Sequence, residues 1–142
     1  MEENFFRYKN EDVARLLLRL TLGGLMIFHG FHKLFNGVSF IEGLFIDRGL
    51  PAFMAYGAYL GEVIAPLMLI LGFRVKIASL LIVMTMLVAI ALVHMGDIFS
   101  LTKHGAWGIE LQMFYIMAAV SVFLQGNDKY SLDNYFAGKA RQ

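Results

Sequence analysis

Several ionisable residues of this sequence stand inside or at the ends of long apolar runs, where their types suit proton and hydrogen-bond chemistry. The first run carries Arg15, Arg19, His29, His32 and Lys33, the second carries Glu62 near its middle, the third ends at His94, and the fourth holds Glu110 near its start. Ionisable groups in hydrocarbon are expensive, so each needs a physical reason to be there. A mid-membrane carboxylate is either protonated or paired with a cation. Arg19 and Lys33 are the cations available to Glu62 on the first run. Two uses of Glu62 stay open at this stage: a structural ion pair with Arg19, and a proton relay beside a bound molecule. His29 and Lys33 are suited to donate hydrogen bonds to such a molecule, with Glu62 exchanging protons.

The elements that must position these groups are helices. A spanning helix needs about 20 mostly apolar residues, and the runs at about 13–34, 51–71, 77–94 and 107–124 qualify. Asn36-Gly37, Gly72-Phe73-Arg74-Val75-Lys76, Gly96-Asp97 and Gly126-Asn127-Asp128 supply the breaks, and Pro51 fits a helix first turn. The runs do not alternate in polarity as the strands of a membrane β-barrel would. The expected fold is an all-α, single-domain, four-span membrane bundle covering residues 1–142. Arg7, Lys9, Arg15, Arg74, Lys76, Lys129, Lys139 and Arg141 fall on one side, against Lys33, Arg48 and Lys103 on the other. The positive-inside rule then puts both termini in the cytoplasm and the 36–50 and 95–106 connections outside.

With that orientation His29, Lys33, His94 and Glu110 share the outer half of the membrane. At 100° per residue, Arg15, Arg19, Met26, His29 and Lys33 lie within about 40° of one line along their helix. That stripe is expected to face the bundle interior. The expectation is that His29, Lys33, Glu62, His94 and Glu110 gather around one outward-opening cavity, because each is penalised if it faces lipid. Simpler roles exist for most of them. Lys33 can snorkel to the interface, Arg15 can anchor at the inner surface, His29 and His94 can be hydrogen-bonded packing residues, and His32 and His104 can be interfacial. Trp107 reads as an aromatic-belt anchor.

Composition sets the exclusions. Of 142 residues, 58% are hydrophobic and 16% charged, with a mean hydropathy of +0.64. A soluble domain of this size needs more polar surface. No basic stripe points to nucleic acid. There are no cysteines, which excludes disulfides, Fe–S clusters, thiolate zinc sites and c-type haem carried by this chain. The di-iron pattern of Glu-x-x-His on two helices is absent, and His29 with His94 is the one pair suited to haem b, so no metal site is assigned. The first run lacks a cleavage-site pattern and is interrupted by Arg19, so it reads as a span and not as a cleaved leader.

The ordered set Leu18-Arg19-Leu20, Leu22-Gly23, His29-Gly30-Phe31-His32-Lys33-Leu34-Phe35, Gly49-Leu50-Pro51, Gly61-Glu62, Leu71-Gly72-Phe73, His94, Gly108-Ile109-Glu110 and Tyr130-Ser131-Leu132-Asp133 resembles the DoxX family of small bacterial membrane proteins. The resemblance implies a multi-pass protein of the inner membrane. It implies a link to quinone-coupled oxidation of sulfur compounds or to oxidoreductase complexes that handle oxidative stress. It also carries the family pattern over to Arg19, His29, Lys33, Glu62, His94 and Glu110. The expected role is a quinone-interacting subunit without a redox cofactor of its own, working with a partner protein. Two other roles remain: a non-catalytic assembly partner, and a small transporter or proton pathway, which would need oligomerisation to provide alternating access.

Overall fold

The computed structural model describes residues 2–139, with side chains from residue 10 onward. The side chains of Arg7 and Lys9, and Arg141, used above for orientation, lie outside the described residues. The described chain is helical apart from its turns, with one β-bridge between Leu101 and Trp107. Six helical elements follow in order: α1 (Glu2–Asn36), α2 (Ser39–Ile46), α3 (Ala52–Leu71), α4 (Val75–Val93), α5 (Glu110–Gln125) and α6 (Leu132–Lys139). Three of them, α1 through its Asn10–Asn36 portion, α3 and α4, are long and apolar enough to cross a membrane.

The fourth apolar run behaves differently. Its helix starts only at Glu110 and has 16 residues, short of the usual spanning length of about 20. Residues 101–108 are drawn into a small hairpin instead. Thr102 N–H donates to the Ala106 carbonyl at 2.8 Å, and Gly108 N–H to the Ser100 carbonyl at 2.9 Å. Trp107 is partly exposed, and its indole N–H donates to the Ile98 carbonyl at 2.6 Å. The 36–50 connection, read as a loop, contains α2. Its apolar residues explain that: Phe45, with Val38 just before the helix, packs on Ala55 and Leu92.

Four helices close a ring, with α1 packed on α3 and α5, and α4 packed on α3 and α5. The core between them includes Met26, Leu69, Ile82 and Ala119, all at 0% exposure. The outer surface is as apolar as the core: Phe28, Phe40, Leu80 and Phe114 are all more than half exposed. Meanwhile Arg19, Glu62, Ser79 and Asp128 are buried. Polar groups inside and apolar groups outside is the arrangement expected of helices bathed in hydrocarbon.

The expected Arg19–Glu62 ion pair is not formed. Arg19 Nε donates to Asp128 Oδ2 at 2.9 Å, with the two side chains 2% and 1% exposed. Its Nη1 donates to the carbonyls of Leu69 and Ile70 at the end of α3. Glu62 is taken by Lys33. The reason is axial distance: the 14 residues from Arg19 to Lys33 rise about 21 Å along α1, so one carboxylate cannot serve both. The segment after α5 meets Arg19 and is itself tied down. Asp128 Oδ1 accepts the Tyr130 N–H at 2.8 Å, and the Asp128 carbonyl accepts the Ser131 hydroxyl at 2.7 Å. Asp133 N–H then donates to the Gly72 carbonyl at 3.1 Å. One ion pair therefore fastens α1, the end of α3 and the chain leading into α6.

Removing one member of a buried pair typically costs about 3–5 kcal/mol, because a lone charge remains. Arg19→Leu and Asp128→Leu are therefore each expected to lower thermal stability in detergent strongly, with the double variant recovering part of the loss. Arg19→Leu combined with Glu62→Gln is expected to be additive. Coupling of Arg19 to Glu62 and not to Asp128 in the double-mutant cycle would contradict this pairing.

Candidate functional site

Glu62 is placed by an irregular stretch of backbone. Leu60–Ile64 form a π turn inside α3, in which the Ala65 N–H donates to the Leu60 carbonyl five residues back. Pro66 supplies the cause. It has no N–H for the Glu62 carbonyl four residues earlier, and its ring crowds that carbonyl in a regular helix. The wider turn relieves the conflict. Turns of this kind are common at functional sites, and here the turn carries a buried carboxylate into the ring of helices.

Two glycines let neighbouring helices close around it. A Cβ on Gly30 of α1 would stand 2.0 Å from the Glu62 carbonyl oxygen, so the two backbones touch directly. A Cβ on Gly61 would stand 1.7 Å from Thr85 Oγ1 of α4. Lys33 Nζ reaches across from α1 and donates to Glu62 Oε2. Lys33 is 21% exposed and Glu62 8%, so the carboxylate is the more deeply held partner. The Tyr59 hydroxyl donates to the Lys33 carbonyl at 3.1 Å.

Lys33 and Glu62 border a cavity of about 460 Å³ between α2, α3 and α4. Thr85 is the only other polar side chain in its walls, which are otherwise apolar residues such as Phe40, Phe45, Met54 and Leu92. Leu60, Met84 and Val88 line it and are also exposed on the outside of the bundle. The cavity therefore opens sideways, toward the region where lipid lies. Its size and character fit a lipophilic molecule with a polar head; ligand sites are commonly apolar with a few placed polar groups.

The expected gathering of five polar residues in one cavity is corrected. Lys33 and Glu62 meet there, whereas His29, His94 and Glu110 are absent from its walls. His29 is exposed on α1 and sets its ring edge-on to Tyr115, with centroids 5.9 Å apart. It does not follow Arg19, Met26 and Lys33 inward, because Gly30 occupies the close contact with α3 and turns residue 29 toward α5. His94 Nδ1 bonds to Asp97 Oδ2 at 2.9 Å, just beyond the end of α4. Glu110 is exposed, and its carboxylate accepts the Trp107 N–H at 3.3 Å at the start of α5. Among the described residues, no group of three His, Asp or Glu side chains gathers as a metal would require.

Thr85 and Tyr115 are not singled out by the sequence, and Tyr59, on the face of Glu62, and Asp128, in the break after the fourth run, are given no site role there. Hydroxyl residues inside apolar runs carry little penalty there and give little signal. Pro66, four residues after a buried Glu, was the available sign of the π turn.

Substitutions at the two glycines test the close approach. Gly30→Ala and Gly61→Ala are each expected to cost about 1–3 kcal/mol or more by forcing the helices apart. Gly24→Ala should be tolerated, since a Cβ there meets nothing within 4 Å. Equal melting temperatures for all three variants would contradict the packing described.

Residues 14–95, from α1 through the end of α4, match the DoxX family. The chain is also similar to a Bacillus subtilis (strain 168) protein named "Putative oxidoreductase CatD", 28% identical over 132 residues that cover 92% of this chain and 93% of the relative. No solved structure matches. The matched stretch takes in most of the spanning part of α1 and the whole of α3 and α4, together with Arg19, Lys33 and Glu62. This chain belongs to the DoxX family and is a multi-pass membrane protein whose apolar helices associate with the lipid bilayer.

Proposed function

We propose that this protein is a quinone-interacting subunit of an oxidoreductase system in the bacterial inner membrane, of the sulfur-oxidising or oxidative-stress type. The observation that carries the reading is the sideways-opening apolar cavity ending at the pair of a half-buried Lys33 and a buried Glu62. A relative bearing an oxidoreductase name supports the class of activity.

A quinone dissolved in the bilayer would enter past Leu60, Met84 and Val88, with its tail against the apolar walls. Lys33 Nζ would donate a hydrogen bond to a ring carbonyl. Glu62, bonded to that ammonium, would take up or release a proton there. Conversion of a quinone to its quinol takes up two electrons and two protons, so the electrons would come from a redox partner protein. The residues here bind the head, exclude water and hold the proton.

Binding is the direct test. The full chain in nanodiscs is expected to bind decylubiquinone above the level of empty nanodiscs. The double change Lys33→Met with Glu62→Gln removes both charges together, leaving no lone ion, and should weaken binding about tenfold or more, the scale of one charge-assisted hydrogen bond. Binding no greater than that of empty discs, or unaffected by the double change, would sink the reading.

We further propose that α5, despite its length, crosses the membrane with its flanking residues, giving four spans with both termini cytoplasmic. Reporter fusions after Gln142 and within residues 36–50 should report opposite compartments. The same compartment for both would leave an even number of crossings between them and contradict this topology.

A further inference from the structure

Thr85 differs from the serines within α4 and α5. Ser79 donates to the Val75 carbonyl at 2.9 Å, and Ser121 donates to the Met117 carbonyl at 2.8 Å, each one turn back along its own helix. That back-bond is the ordinary resting place for a hydroxyl inside a helix. In hydrocarbon it matters more, because no water is present to take the proton. Among the described residues, the Thr85 hydroxyl makes no such bond and has no other hydrogen-bond partner. It lines the cavity, and its oxygen is seated against Gly61, in the space a side chain on that residue would fill. Gly61 immediately precedes Glu62 on the π turn. A free hydroxyl is thus fixed on the wall opposite α1, beside the buried ion pair, in an otherwise apolar cavity.

We propose that Thr85 is a ligand-positioning residue of this cavity, giving the bound head group its second hydrogen bond. The inference rests on the quinone reading above and deepens it. With Lys33 on α1 and Thr85 on α4, the site selects a flat head carrying two separated hydrogen-bonding oxygens on an apolar tail. A lipophile with a single polar atom satisfies one wall only. Thr85 both donates and accepts, so it can serve a carbonyl as donor and a ring hydroxyl as acceptor, the two forms a quinone and its quinol present. Gly61 has a specific part in this, since any side chain there displaces the hydroxyl.

The test compares decylubiquinone binding to the full chain in nanodiscs for wild type, Thr85→Val and Thr85→Ser. Valine keeps the shape and removes the hydroxyl, whereas serine keeps the hydroxyl. The expected result is binding about fivefold weaker for Thr85→Val, the scale of one neutral hydrogen bond, and near wild-type binding for Thr85→Ser. A packing role would instead be revealed if serine, which loses the methyl, bound as weakly as valine or more weakly. Wild-type binding retained by Thr85→Val overturns the positioning role while leaving the quinone reading intact. Absence of binding by wild type overturns both.

Discussion

A charge placed in hydrocarbon needs a partner, and the structure of this protein is organised by how it meets that requirement twice. Arg19 with Asp128 and Lys33 with Glu62 are held in the ring of helices while phenylalanine and leucine cover the outside. Replacing a buried ion pair with apolar residues of similar volume is often neutral or stabilising. Such pairs are therefore weak devices for stability alone, and their positions carry the information. The first pair meets the end of α3 and the segment after α5, where it fixes how chain ends are joined. The second borders a cavity that lipid-soluble molecules can reach.

The local backbone is arranged to make the second pair feasible. Pro66 forces the wide turn at Leu60–Ile64, the turn presents Glu62, Gly30 lets α1 approach it in direct backbone contact, and Gly61 lets the Thr85 side chain of α4 seat against the turn. Each feature departs from an ordinary spanning helix, and each departure sits at the same level as the carboxylate. Close backbone approach through small residues is a usual mode of packing between helices in membranes. In this protein it also sets the wall that carries Thr85. The cavity, the ion pair and the free hydroxyl thus share one structural cause.

Much of this was legible in the residues themselves. Apolar length located the three long helices to within a few residues, and the penalty for burying charge picked out Arg19, Lys33 and Glu62 before any geometry was known. The pairing was not legible, because helical phase places Arg19 and Lys33 on the same stripe and leaves their depth relative to Glu62 undecided. What resolved the choice was Asp128, which lies just past a Gly-Asn break and reads as a solvated loop acid. The same stripe argument turned His29 inward, while the contact made by Gly30 turns it toward α5. Glu110 and His94 are used at helix ends, where their partners are only three residues away.

The central claim is that a lipophilic molecule with a polar head group enters between α2, α3 and α4 and reaches the Lys33–Glu62 pair. Photocrosslinking with a diazirine-bearing quinone in native membranes, followed by peptide mass spectrometry, tests it most directly. The account predicts adducts concentrated on the cavity walls, at Phe40–Phe45 of α2 and Met84–Val88 of α4, that excess decylubiquinone competes away. Adducts spread over all lipid-facing helices in proportion to exposure, or concentrated on the outer face of α5 around Phe114 and Met117, would contradict it.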